Sequence, residues 1–413
     1  MRLKRKTKIH KRNGLNKYVF IFTAIALILA ILFGLRIISF FQTITIEDTN
    51  NKDTDTTIQE QKEFNFLLMG YGGGKHEGTF LTDTLIVAHV KIDQQKIFLI
   101  SIPRDTWVKV PTLNSSDFYS KINALYQIGK NPKNYKDIDS RFIANDNHTG
   151  LLKNAITNIT GLEIDGFLSI DFNGFVSAID TLGGIDILVE KSFTDYEYPI
   201  EANMNDLCGR DEEFAKIEPI INKQFTSEQE IEFFDANPEL KTFYDDIKKR
   251  PSLAFPCRYE VLAFKKGVNT MDGDMALKFA RSRHSLDDGG DFNRARRQQL
   301  VINAILDKIV TVNFIPKILP LLSDLQDNIR TDIPLSQINK FLQLAGKSSQ
   351  ISLKSFIITD KYLVDDFSQH GGSILISKNG IDNWEVLQND LHNFILEVTP
   401  TPTQLPLSPT INR

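Results

Sequence analysis

The chain is predicted to be an α/β protein, with a central mixed β-sheet flanked by helices behind an N-terminal transmembrane helix. Three observations predict this. Short apolar runs rich in β-branched and aromatic residues interleave with amphipathic helical patterns, the order that sandwiches a sheet between helices. A long uncharged stretch follows a strongly basic tail near the start. Between Phe64 and Ile395 there are enough apolar residues for one large core, and no internal repeat is evident.

Residues 1–17 hold eight Lys/Arg and no acid, and Tyr18 to Leu35 runs 18 residues without a charge. Arg36 can snorkel to the interface, so the span 18–41 reaches the roughly 20 residues a single helix needs. The basic tail then stays cytoplasmic and everything after it lies outside, as in a single-pass type II protein of the cell membrane. A cleaved signal peptide is the alternative. Its apolar core would run about 7–15 residues and end in a small-residue cleavage site, and neither fits. Residues 42–63 are polar and nearly free of aromatics, which reads as a stalk.

The extracytoplasmic domain is expected over 64–397. Strands are predicted at Asn65–Gly70, Thr84–Val90, Lys96–Ile102, Phe167–Asp171 and Ile185–Glu190. Helical periodicity covers 149–160, 172–181, 271–280, 291–312, 335–345 and 383–396. Residues 193–257 break the pattern: they are acidic and aromatic, contain both cysteines, and read as an insertion. Cys208 and Cys257 can pair in an oxidising compartment or stay free, and no C-x-x-C or His-rich spacing supports zinc. Residues 398–413 form a Pro/Thr-rich tail expected to be disordered.

The net charge of −4 conceals an asymmetry. Beyond residue 17 there are 40 basic against 52 acidic side chains, a net of −12. An exterior this acidic binds duplex DNA poorly, which excludes nucleic acid as a partner. Within it, residues 279–299 carry five arginines and two glutamines. Guanidinium pairs bidentately with phosphate oxygens, so this cluster suits a small, multiply charged anion such as a phosphate-bearing lipid. Arg294, Arg297 and Gln298 follow Asp291, a predicted helix N-cap, at spacings that share one face, and Val301 and Ile305 continue the stripe in apolar form. A face polar at one end and apolar beyond fits an amphiphile with an anionic head. Arg281 and Arg283, at i and i+2, point the same way if the segment is extended. The competing reading is a solvated basic helix end.

Other segments carry weaker signals. Arg104-Asp105 follows a strand, where ligands often sit, although a surface ion pair is the commoner fate of such a dipeptide. Gly70-Tyr-Gly-Gly-Gly74 either cradles phosphate or is a plain loop. It is not a Walker A motif, because His76 follows Gly74-Lys75. Asp83 opens the next strand, as a Mg²⁺ ligand or a turn residue.

In this order the segments resemble the LytR-CpsA-Psr (LCP) family of membrane-anchored cell-wall glycopolymer ligases. The resemblance rests on Thr82-Asp83-Thr84, Ser101-Ile-Pro-Arg104-Asp105-Thr106, Lys121-Ile-Asn123-Ala-Leu-Tyr126, Leu182-Gly-Gly-Ile-Asp186, Asp272-Gly-Asp-Met-Ala-Leu-Lys-Phe-Ala-Arg281-Ser-Arg283 and Asp291-Phe-Asn-Arg294-Ala-Arg-Arg-Gln298-Gln299. It implies a polyprenyl chain held in an apolar tunnel, and a phosphotransferase joining a polyprenyl-(pyro)phosphate-linked glycan to peptidoglycan. Arg104, Lys121, Arg281, Arg283, Arg294 and Gln298 are the implied phosphate-binding residues. Asp83 is the implied Mg²⁺ ligand, and Asp291 the implied base. The family's second aspartate is replaced here by Tyr71, and the arginine two residues before the metal-associated aspartate by Leu81; His76 and Glu77 are candidates for a substitute ligand. Hydrolysis by a polyprenyl pyrophosphatase, or lipid-glycan binding without catalysis, are the alternative functions. A DNA-binding regulator is disfavoured by the outward topology.

Overall fold

A computed structural model describes residues 34–45, 61–74, 78–114, 117–143, 148–310, 325–334, 337, 351–369 and 371–398. Its strands in chain order are β1 (Glu63–Tyr71), β2 (Thr82–Lys91), β3 (Lys96–Ser101), β4 (Trp107–Lys109), β5 (Tyr119–Lys121), β6 (Gly166–Asp171), β7 (Ile185–Val189), β8 (Phe193–Pro199), β9 (Tyr259–Phe264), β10 (Gly267–Met271), β11 (Ile329–Thr331), β12 (Ser352–Ile357), β13 (Leu363–Phe367) and β14 (Ser373–Ser377). Six form the main sheet, in the order β11-β6-β1-β2-β3-β12. β1 pairs antiparallel with β2 and parallel with β6, and β3 pairs parallel with β12, so the sheet is mixed as predicted.

Strand periodicity divides the core. Leu67 and Met69 of β1, Val87 of β2 and Ile100 of β3 face one side, where they pack with Leu151 and Ile156 of the 150–160 helix and Leu387 and Leu391 of the 385–396 helix. The intervening Leu68, Ile86 and Leu99 face the other side and meet Ile302. Asp171 ends β6 and caps the next helix, Phe172–Leu182, accepting from the Gly174 amide at 2.8 Å. That helix stops at Gly183, whose φ of 82° is the left-handed conformation of a C-terminal glycine. The helices Phe172–Leu182, Gly273–Arg281 and Asp291–Val310 contact one another on this second side. A second core lies beneath them, with Ile185, Ile187, Phe193, Phe264, Phe279 and Val301.

The five predicted strands and five of the six predicted helices form; of the sixth, 335–345, only Gln337 lies among the described residues. The region read as an insertion starts inside the fold. Phe193–Pro199 is β8, paired antiparallel with β9, and Phe193 belongs to the second core. The excursion proper runs from 200 to 258. It holds helices Asp211–Ile221, Ser227–Ala236 and Pro238–Lys249 around their own core of Ile217, Phe234, Phe243, Tyr244 and Phe255. Cys208 and Cys257 are disulfide-bonded across its base, with Cα atoms 5.6 Å apart.

Most of the predicted membrane span lies outside the described residues. Within them 34–44 is helical, and no described helix is long and apolar enough to cross a membrane. Phe40 and Ile44 pack on Leu325 and Ile329, and Thr45 bridges to Thr331 at the sheet edge. The stalk is described only at 42–45 and 61–63, and Glu63 already belongs to β1; of the C-terminal tail only Val398 is described.

Candidate active site

Between the second face of the sheet and the three helices lies a cavity of about 540 Å³. Leu68 and Gly70 of β1 and Leu168 and Ile170 of β6 line its sheet side; Phe175, Ala178, Ile179, Val301, Ile302, Ile305 and Ile309 line its helical side. Into the same cavity reach Asp83, Arg104, Arg281, Arg283, Arg294 and Gln298. An apolar hollow bordered by a few convergent charged groups is the usual form of a ligand site.

Each cation arrives by a different route. Arg104 follows Pro103 at the end of β3, where it pairs with Asp83 at the start of β2 and, through Nε at 3.4 Å, with Asp105. Arg281 closes the Gly273–Arg281 helix, which Asp272 caps by accepting from the Met275 amide. Ser282 then turns extended (φ −53°, ψ 135°), so Arg281 and Arg283 both reach the cavity, as the i, i+2 spacing predicts. Arg281 lies 4.4 Å over the Phe172 ring and donates to Glu201 at 2.9 Å. Arg294, Gln298, Val301 and Ile305 form the predicted stripe, extended by Ile309.

Asp291 is the first residue of its helix, and its carboxylate faces guanidinium groups: Arg294 at 3.1 Å and Arg283 at 3.3 Å. Arg294 is 8% exposed. Burial, with Arg104 and Arg283 nearby, pushes its guanidinium down to about 10 despite Asp291. Arg104 moves the other way: burial opposes its charge, but Asp83 and Asp105 together outweigh that and raise it. The mouth thus holds one strongly desolvated cation, Arg294, near Arg104 and Arg283, and a multivalent anion would stabilise its charge.

The family model for LytR_cpsA_psr matches residues 38–394. The chain belongs to the LytR-CpsA-Psr family. It is similar to the polyisoprenyl-teichoic acid–peptidoglycan teichoic acid transferase TagV of Bacillus subtilis, 24% identical over 353 residues covering 82% of this chain and 70% of that protein. It is also similar to biofilm regulatory protein A of Streptococcus mutans, 22% identical over 372 residues covering 85% and 73%. Among solved structures, protein gbs0355 of Streptococcus agalactiae superposes with a TM-score of 0.51 at 22% identity, over 85% of this chain and 93% of that one. B. subtilis TagV superposes with a TM-score of 0.50 at 21% identity, over 83% and 100%. These likenesses establish that the family's fold is the fold here.

Of the site residues expected from the family, Lys121 does not line the cavity. It is held at 2.6 Å by Asp105, which in turn holds Arg104, so it stands one ion pair behind the wall. Arg297 was expected on the anion-binding face and is not there. It is 1% exposed, donates to Asp288 and to the Ser282 carbonyl, and lies 4.8 Å from the Phe193 ring, bracing the loop between the arginine pairs. Helical drift accounts for this: the cavity takes Arg294, Gln298, Val301 and Ile305, and the adjacent row faces the second core. Tyr71 does not stand in for a carboxylate. It lies buried on the opposite side of the sheet with Phe80 and Tyr126, its hydroxyl pushed up by burial. Gly73, at φ 71°, lets the loop pass β6, since a Cβ there would sit 2.9 Å from that of Asp171.

Sequence reasoning missed Asp195 and His284. Asp195, fully buried on β8, accepts from the Ser282 hydroxyl at 2.7 Å and from the amides of Glu197, Arg283 and His284 at 3.0, 3.0 and 3.1 Å. It thereby fixes the turn that presents Arg283. No local motif marks either residue, because their roles arise from a contact across about 90 residues. Asp171, also in the wall, was legible as a helix cap but not as a site residue. Besides Asp195, the carboxylates of the wall are Asp83 and Asp171. Mg²⁺ is commonly held by one or two carboxylates plus substrate phosphates, and Asp83, a carboxylate of the wall beside Arg104, is of the type that would serve. Among the described residues the one cluster of three metal-type donors is Asp206, Cys208 and Cys257, whose sulfurs are already bonded to each other; His76 and Glu77 lie outside the described residues.

Proposed function

We propose that this protein is a membrane-anchored phosphotransferase that moves a glycopolymer from a polyprenyl pyrophosphate carrier to a hydroxyl of peptidoglycan or another cell-envelope acceptor. One observation carries the reading: a single cavity joins an apolar body, sized for a chain of isoprene units, to a mouth with Arg104, Arg281, Arg283 and Arg294. A lipid tail fills the first and a pyrophosphate the second. The Bacillus subtilis relative, named as a transferase between polyisoprenyl-linked teichoic acid and peptidoglycan, supports the same class of reaction. Phosphoryl transfer needs positioning and charge neutralisation more than covalent help from the protein, and four guanidinium groups supply both. Asp83 would hold Mg²⁺, which when bound adds charge neutralisation at the phosphates. The basic tail and the span 18–41 support type II anchoring, with the cavity on the outer side where peptidoglycan lies.

Acceptor-dependent turnover tests this. Full-length protein in detergent, given a labelled polyprenyl-pyrophosphate oligosaccharide, is expected to pass label to glycan strands, faster with Mg²⁺ and slower with chelator. Label released equally with and without acceptor would make it a pyrophosphatase. Tight lipid binding without turnover would make it a lipid-glycan binding protein.

A further inference from the structure

We infer that His284 is the proton acceptor for the incoming hydroxyl, and that Glu197 orients its imidazole. This rests on the transferase reading and names the base that reading requires. The wall carboxylates are engaged elsewhere. Asp83 pairs with Arg104, Asp171 caps a helix, and Asp195 accepts four hydrogen bonds. Asp291 faces the guanidinium groups of Arg283 and Arg294. Removing it would cost the site its arginine geometry, whatever proton it carried.

His284 differs in its surroundings. It lines the cavity immediately after Arg283, and its amide is anchored by Asp195, so its Cα position is fixed relative to the arginines. Its side chain is 48% exposed, open to an arriving acceptor. Its ionic neighbour among the described residues is an acid: Nδ1 lies 3.7 Å from Glu197 Oε2. Glu197 is fixed in turn, because its Oε1 accepts from the Ser252 hydroxyl at 2.7 Å. At 3.7 Å the pair is not yet a hydrogen bond, but a small turn of the ring would let Nδ1–H donate to Glu197 and leave the lone pair on Nε2. An imidazole steered by a carboxylate that a third group holds is the arrangement general bases use. Both supports come from β8 and the excursion behind it, which gives the 193–257 region a part in the chemistry.

The step balances. The acceptor oxygen attacks the phosphorus bearing the glycan and forms a P–O bond as its proton passes to Nε2 of His284. The bridging P–O bond of the pyrophosphate breaks, and its electron pair leaves on the polyprenyl phosphate among Arg281, Arg283 and Arg294. The imidazolium faces Glu197 until it returns the proton to water.

The experiment compares wild type, His284→Ala, Glu197→Gln and Asp291→Asn in full-length protein. It uses a polyprenyl-pyrophosphate disaccharide as donor and soluble glycan strands as acceptor, with donor affinity measured separately. His284→Ala is expected to lose about a hundredfold or more in turnover. Donor affinity should hold within about twofold, and added imidazole should restore part of the rate by filling the exposed site. Glu197→Gln should lose turnover in the same sense at unchanged donor affinity. A His284→Ala protein that transfers at the wild-type rate overturns the assignment, as does a loss accompanied by weak donor binding and no imidazole rescue. A wild-type protein that binds donor and never transfers overturns the transferase reading itself, a distinct failure visible before any variant is made.

Discussion

Asp195 has no exposed surface, yet it stays charged because the turn 282–284 surrounds it with donors. Burial pushes its carboxyl up, and the hydrogen bonds from Ser282 and the three amides push it further down, to a net value below the ordinary range. A carboxylate depressed on folding adds stability above its unfolded value, near 3.9, and loses it as pH falls through the folded value. Asp195→Asn should therefore unfold more easily by about 3 kcal/mol at neutral pH, and the gap to wild type should close below about pH 4. Urea titrations at stepped pH check this; a gap that is constant with pH would mean the charge is irrelevant. The arginines divide by the same logic of partners. Arg281→Ala, Arg283→Ala and Arg294→Ala should each weaken polyprenyl-pyrophosphate binding by roughly ten- to a hundredfold, with lysine rescuing only in part. Calorimetry on the three variants measures it. Arg296, by contrast, donates to Glu190 and Asp288 and is part of the brace. Arg297→Ala should take one of the two guanidinium partners from buried Asp288 and the donor from the Ser282 carbonyl, and cost about 1.5–3 kcal/mol of stability, with no direct loss of phosphate contacts.

At the scale of elements, the excursion 200–258 packs around a core separate from that of the sheet. It has its own small core, joined to the body through β8 and β9 and closed by a disulfide spanning 49 residues. In the chain-entropy model such a loop gains about 4 kcal/mol from the bond. Native, unreduced protein should show no alkylatable thiol. After reduction, hydrogen exchange should rise across 200–258 while β1–β3 keep their protection. Uniform loss of protection would mean that the excursion and the sheet form one cooperative unit.

At the scale of the whole molecule, the proposed function depends on a void that the two faces of the sheet create unequally. One face is filled solid by Leu67, Met69, Val87, Ile100 and their helical partners; the other is held open by three helices. Filling that void tests its purpose. Ala178→Phe should exclude part of the lipid chain. At about 0.8 kcal/mol per buried methylene, losing four would weaken long-chain polyprenyl pyrophosphate roughly a hundredfold. Geranyl pyrophosphate, short enough to sit at the mouth, should bind almost as before. Equal losses for both would place the lipid chain outside the cavity.

The sequence determined by itself whatever depends on neighbours along the chain. Period-two and period-3.6 patterns located the five strands and five of the helices, and the stripe from Arg294 through Gln298, Val301 and Ile305 was readable because one helix sets its spacing. The extended Arg281-Ser-Arg283 segment was readable for the same reason. Only the tertiary structure decided which cations meet the cavity and which stand behind it. Lys121 and Arg297 have the same chemistry as their neighbours, and Asp105 and Asp288 claim them because the turns that carry these acids fold back onto them. β8, β9 and the late strands β11 and β12 were equally hidden, since their stability comes from partners up to about 250 residues away rather than from their own short patterns. Asp195 and His284 escaped for that reason too. A buried carboxylate is tolerable only where a fold brings several donors to it, and no sequence spacing records that convergence.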